Sequence, residues 1–131
     1  MRSPLPDRRR TPGSLLYWWE SRRLFYNAVV GTTGVFSSLV ILLFSALPPF
    51  DGMAPPPILP LALAYGLAAN LCYSMGWGIE MLARLVWGRQ APDLGPILFR
   101  QGLIFSVGLT LLPLLLSVFV WIVRIVGWIV L

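Results

Sequence analysis

The sequence predicts an all-α fold, an integral membrane bundle of three transmembrane helices with an interfacial N-terminal helix extension. Hydrophobic residues make up 57% of the 131 residues and charged residues only 11%, whereas charged residues are about 25% of a typical soluble domain. The apolar residues form three long runs instead of alternating with polar ones, and segments rich in proline and glycine separate the runs. Such runs suit a lipid bilayer better than a water-exposed domain.

Residues 1–14 are predicted to form a disordered basic cytoplasmic tail, because their proline, glycine, serine and arginine leave almost nothing to bury. Residues 15–131 are predicted to form the transmembrane domain. Ser14 is expected to cap a helix that begins at Leu15, since a serine hydroxyl can accept a hydrogen bond from an N–H of the first turn. The first turns combine aromatic rings with arginines, which is typical of the headgroup level of a membrane: Trp18, Trp19, Arg22, Arg23 and Tyr26.

Three crossings are predicted, at about 24–47, 58–79 and 101–123. Each is close to the roughly 20 residues that cover a hydrocarbon layer of about 30 Å at 1.5 Å per residue. The connection at 48–57 is rich in proline, and the connection at 88–96 contains both glycine and proline. Because these residues break helices, both connections are expected to separate the crossings cleanly.

The last apolar stretch, residues 97–131, leaves the number of its crossings open. It is too long for one helix perpendicular to the membrane, and two full crossings with a turn would need more than about 40 residues. One helix, tilted or kinked at Pro113 and followed by an interfacial tail at Arg124 and Trp128, is therefore the favoured interpretation.

The arginines are distributed unevenly and indicate an orientation. Most of the ten basic residues precede the first apolar run, none lies in the 48–57 connection, and Arg84, Arg89 and Arg100 lie in or beside the second connection. Basic residues in short loops favour the cytoplasmic side, so the N-terminus and the second connection are expected there. The same distribution suits contact with anionic lipid headgroups, and we expect no nucleic-acid partner.

Small residues at every fourth position predict where the helices pack, since close backbone approach drives helix association in lipid. Two such rows occur, one in the second crossing and one in the third: Gly66, Asn70, Ser74, Gly78 and then Gly102, Ser106, Thr110. The second helix is therefore predicted to be the centre of the bundle, packing against the other helices or against a copy of itself. Packing within the chain is the favoured interpretation, and a pathway lined by these residues is the alternative.

Polar side chains in and near the bilayer are further candidate site residues. Asn70 lies near the bilayer centre, where an unsatisfied amide costs several kcal/mol, so we expect an interhelical hydrogen bond or, alternatively, a ligand or proton-pathway contact. An interfacial layer of charges is predicted at the cytoplasmic helix ends: Arg22, Arg23, Glu80, Arg84 and Arg100. This layer could keep the helix ends in register, or it could bind anionic headgroups or a partner protein.

The chain offers few residues for catalysis. It has no histidine, a single cysteine (Cys72) and five acidic residues that lie far apart in sequence. Nucleophilic, paired-carboxylate and metal-dependent mechanisms each need groups that are missing or widely separated here. We therefore expect no catalytic, cofactor-binding or metal-binding site.

Two segments carry a resemblance to known proteins. Residues 19–27 read WESRRLFYN, and residues 69–80 read ANLCYSMGWGIE. Together they resemble small bacterial multi-span inner-membrane proteins of uncharacterised activity, with a WExRRLxYN-like entrance to the first helix. The resemblance implies a multi-pass protein of the bacterial cytoplasmic membrane, and it implies no activity and no cofactor.

The expected function is that of a non-enzymatic scaffold or accessory subunit of a membrane complex, with a membrane protein or a second copy of the chain as partner. One alternative is an oligomeric channel or small transporter, whose pore would form between protomers and be lined by Asn70, Ser74 and Thr110. A membrane-embedded enzyme acting on lipid is the least favoured alternative, because the catalytic groups are missing.

Overall fold

The computed structural model describes residues 11–49 and 54–131, apart from the side chain of Arg89. It contains three long helices, α1 (Pro12–Ser45), α2 (Ile58–Trp87) and α3 (Gly95–Val130), and a short 3-10 helix, Gly88–Gln90, that follows α2. Since no strand occurs in the described ranges, the all-α prediction is confirmed. The predicted disordered tail falls almost entirely outside the described residues.

Helix α1 begins earlier than predicted, and the prediction that Ser14 caps it is wrong. Thr11 is the capping residue: its backbone is extended, and its hydroxyl accepts a hydrogen bond of 3.2 Å from the Ser14 N–H. Pro12 occupies the first helical turn, where its fixed φ suits a helix and its missing N–H costs nothing. The interfacial extension and the first crossing therefore form one continuous helix.

Each of the three helices is long and apolar enough to cross a membrane. With 34, 30 and 36 residues, they are each about 45–54 Å long at 1.5 Å per residue. This exceeds the hydrocarbon thickness of about 30 Å, so the helix ends extend beyond the apolar layer. Helix α3 continues through Pro113 without interruption, which agrees with the interpretation of residues 97–131 as one helix.

Helices α1 and α3 run parallel to each other, and α2 runs antiparallel to both. Along α1, Tyr26 bonds Ser106 of α3, and further on Phe44 packs against Trp121. Along α2 the order is reversed, because Trp19 bonds Glu80 whereas Tyr26 bonds the carbonyl of Ala69.

Within one protomer α1 is the centre of the bundle, so the prediction that α2 has this place within the chain is wrong; packing of α2 against a second copy stays a prediction. The most extensive contacts are between α1 and α3, and α2 and α3 contact each other least. At Gly66, Gly78 and Gly102 a Cβ atom would meet nothing within 4 Å, so these glycines do not bring helices together within the chain. The buried rings of Trp19 and Tyr26 on α1 fill the space between helices instead.

The buried core lies at one end of the bundle, where α1 and α3 begin and α2 ends. Its members come from α1 and α2: Leu15, Trp19, Tyr26, Val30, Ala69 and Tyr73. Large apolar side chains along the rest of the three helices are mostly exposed. A surface of this kind is suited to contact with lipid tails, which are as apolar as the side chains themselves.

Candidate functional site

A buried carboxylate joins all three helices at the end of the bundle that contains the core. Glu80 on α2 is 3% exposed. Its Oε2 accepts a hydrogen bond of 2.7 Å from the Trp19 indole N–H on α1, and its Oε1 accepts one of 3.0 Å from Arg84, one turn further along α2. Both oxygens are therefore bonded, as a charge outside water requires.

Gly95, the first residue of α3, completes this arrangement. A Cβ atom at this position would stand 2.9 Å from Glu80 Oε2 and 3.3 Å from the ring of Trp18. The carboxylate thus lies against the N-terminus of α3, where the helix dipole places partial positive charge and stabilises an anion. We call Trp19, Glu80, Arg84 and Gly95 the Glu80 cluster. Because Arg84 and Trp19 donate to it from two helices and the third helix begins beside it, the cluster fixes the relative positions of three helix ends.

Aromatic rings surround the Trp19 side of the cluster. The Tyr73 hydroxyl donates to the Trp19 carbonyl, and the two rings meet edge to face at 5.4 Å between centroids. Gly76 on α2 makes room for the indole, since a Cβ there would stand 2.8 Å from Trp19 Cη2. Phe99 of α3 packs edge to face on Tyr73 at 6.3 Å, so every helix contributes a ring.

A second group of polar side chains, the Arg23 cluster, lies on the α1–α2 face. It consists of Glu20, Arg23, Asn27, Asn70 and Ser74. Arg23 forms an ion pair with Glu20 at 2.7 Å and donates to Ser74 Oγ at 3.0 Å and to Asn70 Oδ1 at 3.3 Å. The Asn70 amide donates to Asn27 Oδ1 at 3.0 Å. Asn70 therefore has the interhelical partners that an amide in a bilayer needs.

A chain of hydroxyls runs between the helices nearer the middle of the bundle. Tyr26 of α1 and Ser106 of α3 are 2.7 Å apart, oxygen to oxygen. Tyr65 of α2 donates to the Ser106 carbonyl at 2.9 Å and accepts from Thr110 at 2.7 Å. This hydroxyl chain bonds α3 to both α1 and α2, as polar groups within a bilayer require.

The predicted charge layer is divided in the structure. Glu80 and Arg84 form an ion pair as expected, but their partners are Trp19 and the start of α3. Arg23 belongs to the separate Arg23 cluster, and Arg22 lies over the Trp18 ring, 3.9 Å from its centroid. Arg100 is exposed and belongs to neither cluster. These side chains therefore contact different partners on different faces of the bundle, and their common level at the membrane interface stays a prediction.

The predicted small residues also have different surroundings. Asn70, Ser74, Ser106 and Thr110 form hydrogen bonds within the chain, whereas Gly66, Gly78 and Gly102 border open space. Several residues of the site were not predicted for their role, among them Trp19, Tyr65, Gly76 and Gly95. Tyr65 and Gly76 are signalled only as a polar ring and a glycine in an apolar run, whereas Trp19 lies at the entrance of the first helix and Gly95 lies in the 88–96 connection.

The opposite end of the bundle contains an open cleft between the three helices. Its volume is about 390 Å³. Pro113, Ser117 and Trp121 of α3 form one wall, and side chains from α1, α2 and the connection between them form the others: Ile41, Phe44, Ser45, Ala54, Pro56, Ile58, Leu61, Leu116, Val120 and Arg124. We call it the Pro113 cleft. The Trp121 indole donates to the Pro48 carbonyl at 3.1 Å, and Arg124 donates to the Pro49 carbonyl.

Chemically, these arrangements are suited to joining helices. Among residues 11–49 and 54–131, no group of three or more His, Cys, Asp or Glu residues could bind a metal ion. Within the Glu80 cluster, polar side-chain atoms form hydrogen bonds with one another. The same holds within the hydroxyl chain. An arrangement of bonded, buried groups stabilises one conformation of the bundle.

The fold and the site define a helical membrane protein with three helices able to span the bilayer. Comparison of the chain with family models, curated proteins and solved structures finds no match.

Proposed function

We propose that this protein is a non-enzymatic scaffold or accessory subunit of a membrane complex. The observation that carries the proposal is the Glu80 cluster, in which Trp19 on α1 and Arg84 on α2 bond one buried carboxylate at the start of α3. This cluster holds one end of a small bundle in a single arrangement. A partner would then meet a fixed surface, which lowers the entropy lost on binding.

We further infer that the Glu80 cluster lies at the cytoplasmic side of a bacterial inner membrane. Support for this orientation comes from the arginines, most of which precede the first crossing or flank the second connection. The C-terminus is then on the opposite side. The bacterial inner membrane in this proposal is the location that the expected resemblance of residues 19–27 and 69–80 implies.

A shared pore between copies is less well supported than a scaffold. Its candidate lining residues already have partners within one protomer: Asn70 and Ser74 bond Arg23, and Thr110 bonds Tyr65. A pore would offer ions or water only the hydrogen-bonding capacity that these bonds leave over. A scaffold makes no such demand on them.

The test is purification from the native membrane in a mild detergent, followed by size-exclusion chromatography and mass spectrometry. We expect a second membrane protein to co-elute at fixed stoichiometry, and we expect Glu80→Gln to weaken this association. The matched control is Arg100→Gln, because Arg100 is exposed and lies outside the Glu80 cluster.

An ion-flux assay with the protein reconstituted in liposomes tests the alternative of a channel. A scaffold should give liposomes no ion flux above that of empty liposomes. Flux through wild-type protein that Asn70→Leu abolishes would overturn the proposal in favour of a channel. Elution of wild type as a lone protomer from gently extracted native membranes would also contradict it.

A further inference from the structure

Helix α1 presents neighbouring residues to different helices near its beginning. Trp19 and Arg23 bond side chains of α2. Trp18 and Arg22 each directly precede one of these residues, so their side chains are turned by about 100° around the helix axis. The Trp18 ring meets Phe99 of α3, with 6.2 Å between the ring centroids, and Arg22 lies over the same Trp18 ring. Trp18 and Arg22 therefore lie on the side of α1 that faces α3.

Helix α3 has the corresponding arrangement. Leu98 and Gly102 line a small cavity together with residues of α2. Arg100 lies on the other side of Phe99 from Leu98, because successive residues advance around a helix in one direction. It is exposed on the side away from α2, and Phe25 of α1 packs on Phe99 at 6.4 Å between centroids. The residues that border this junction of two helices form what we call the α1–α3 groove: Trp18, Arg22, Phe25, Phe99 and Arg100.

Both arginines of the groove lie at the level of the lipid headgroups. Arg22 lies two residues before the first predicted crossing, and Arg100 directly precedes the third. The contact between Tyr26 and Ser106 joins positions of the parallel helices that are 80 residues apart. Arg100 follows Arg22 by nearly the same interval, so the two are nearly level. Aromatic and basic residues are favoured at this level of a membrane.

The charge of the groove favours an anionic ligand. Arg23 and Arg84 are each paired with a glutamate of their own helix. Within residues 11–49 and 54–131, no acidic side chain forms an ion pair with Arg22 or Arg100. Asp7 lies outside those ranges, in a segment of ten residues that also contains four arginines, so this segment adds positive charge overall. A ligand at the groove therefore meets a net positive field.

The guanidinium of Arg22 is held in one position. Its Cζ lies 3.9 Å from the centroid of the Trp18 ring, and its Nη1 donates to the Trp18 carbonyl at 3.2 Å. A guanidinium has five N–H donors, and this bond uses one of them. A phosphate diester can accept the others in bidentate pairs. Because the side chain is already fixed, it loses less entropy when a phosphate binds.

We propose that the α1–α3 groove binds one anionic phospholipid, with its phosphate at Arg22 and Arg100. The acyl chains lie along the exposed apolar surface beyond Phe25, towards the bilayer centre. The groove shares no residue with the Glu80 cluster. This site needs only that the bundle lies in a bilayer, and it does not require the scaffold role.

Native mass spectrometry of the full chain in detergent tests the proposal, with phosphatidylglycerol and phosphatidylcholine of identical acyl chains as the probes. We expect wild type to retain one phosphatidylglycerol in preference to phosphatidylcholine. Arg22→Gln and Arg100→Gln should each lower that preference about fivefold, the equivalent of about 1 kcal/mol per arginine near an anionic lipid surface. Arg22→Lys should keep part of the preference, since lysine retains the charge but not the bidentate geometry.

The matched control is Arg124→Gln, which removes the same charge at the opposite end of the bundle and should leave the preference unchanged. Circular dichroism should show equal helix content in all variants. Equal retention of the two lipids by wild type, or an unchanged preference in both groove variants, would overturn the proposal. An equal loss in Arg124→Gln would do the same, because the preference would then follow net charge and not the groove. A preference seen only in Asp7→Asn would mean that Asp7 neutralises the groove in the native chain, which also contradicts the proposal.

A competition experiment separates a lipid from a soluble phosphate ester. Glycerol 3-phosphate has a phosphate and no acyl chains, so at equal concentration it should not displace phosphatidylglycerol. Displacement would assign the groove to soluble anions instead. A wild-type dimer that Arg22→Gln dissociates would assign it to a second copy of the chain.

Discussion

The indole N–H of Trp19 donates a hydrogen bond of 2.7 Å to Glu80 Oε2, although 61 positions separate the two residues in sequence. Both side chains are almost fully buried, with exposed fractions of 2% and 3%. Removing the donor leaves a carboxylate oxygen without its partner, away from water. Bonds to charged groups are among the stronger hydrogen bonds in proteins, so this one should contribute measurably to stability.

Trp19→Phe is therefore expected to lower the free energy of unfolding by about 1.5–3 kcal/mol. The measurement is an equilibrium unfolding titration in mixed detergent micelles, followed by circular dichroism. Trp128→Phe is the matched control, since Trp128 is 74% exposed, and it should change the free energy of unfolding little. Equal effects of the two substitutions would show that the bond to Glu80 contributes nothing specific.

Two glycines of α2 form a matched pair for testing the packing around Trp19. Gly76→Ala would bring a methyl group to 2.8 Å from Trp19 Cη2, whereas at Gly78 a methyl group meets nothing within 4 Å. We expect Gly76→Ala to destabilise the bundle by about 1–3 kcal/mol through overpacking. Gly78→Ala should be neutral or stabilising by up to about 1 kcal/mol, because alanine is the better helix former. The same unfolding titration measures both, and a larger loss at Gly78 would contradict the structure.

This contrast also shows how far the sequence could predict the bundle. The three helices and their approximate limits follow from the apolar runs, because hydrocarbon thickness and helix rise determine the length of a crossing. The row that contains Gly66 and Gly78 predicts a packing face, since small residues favour close approach. Within that row, Asn70 and Ser74 bond Arg23 of α1, whereas Gly66 and Gly78 border open space. Regular spacing along one helix therefore does not show at which level a neighbouring helix packs closely.

The site could be predicted only in part, for the same reason. The local ion pair of Glu80 with Arg84 follows from their spacing of four residues on one helix. The bond of Glu80 to Trp19 and its position against Gly95 depend on how three helices meet, and no local pattern encodes that. Trp19 was interpreted as a headgroup marker because tryptophan is common at membrane surfaces, yet its ring is buried in the core.

The hydroxyl chain gives a prediction about coupling between two helices. Tyr26→Phe and Ser106→Ala each remove one side of the 2.7 Å contact, so their effects on stability should not add. A double-mutant cycle should give a coupling energy of about 0.6 kcal/mol, and at most about 1.7 kcal/mol, as for other hydrogen bonds between membrane helices. The control cycle pairs Ser106→Ala with Tyr17→Phe, where Tyr17 is 76% exposed, and should give none. Strictly additive effects at Tyr26 and Ser106 would contradict the contact.

The parallel course of α1 and α3 predicts a crosslink. Gly34 and Thr110 lie on facing sides of these helices, with 3.8 Å between the position of a Cβ at residue 34 and Thr110 Cγ2. In a Cys72→Ser background, Gly34→Cys with Thr110→Cys should form an intramolecular disulfide on mild oxidation, because a side chain at residue 34 would lie in van der Waals contact with the side chain at residue 110 and a disulfide needs its two side chains close together. The control pair is Gly34→Cys with Gly102→Cys. It should form no disulfide, because the space beside Gly102 is open. Gel mobility without reductant distinguishes the two, and crosslinking of the control pair alone would show a different register of α1 and α3.

The last prediction concerns the side of the membrane on which each end of the chain lies. If α1, α2 and α3 each cross the bilayer once, the two chain ends must lie on opposite sides, because three is odd. A reporter active only in the cytoplasm should then work when fused before residue 1 and fail when fused after residue 131. A reporter active only outside should give the reverse result. The uneven arginines assign the N-terminus to the cytoplasm, and replacing Arg84, Arg89 and Arg100 by glutamine should weaken that preference without changing the count. If both ends were cytoplasmic, one of the helices would have to lie on the membrane surface. The crossing by α3, the longest helix and the one that continues through Pro113, would then be the first in doubt.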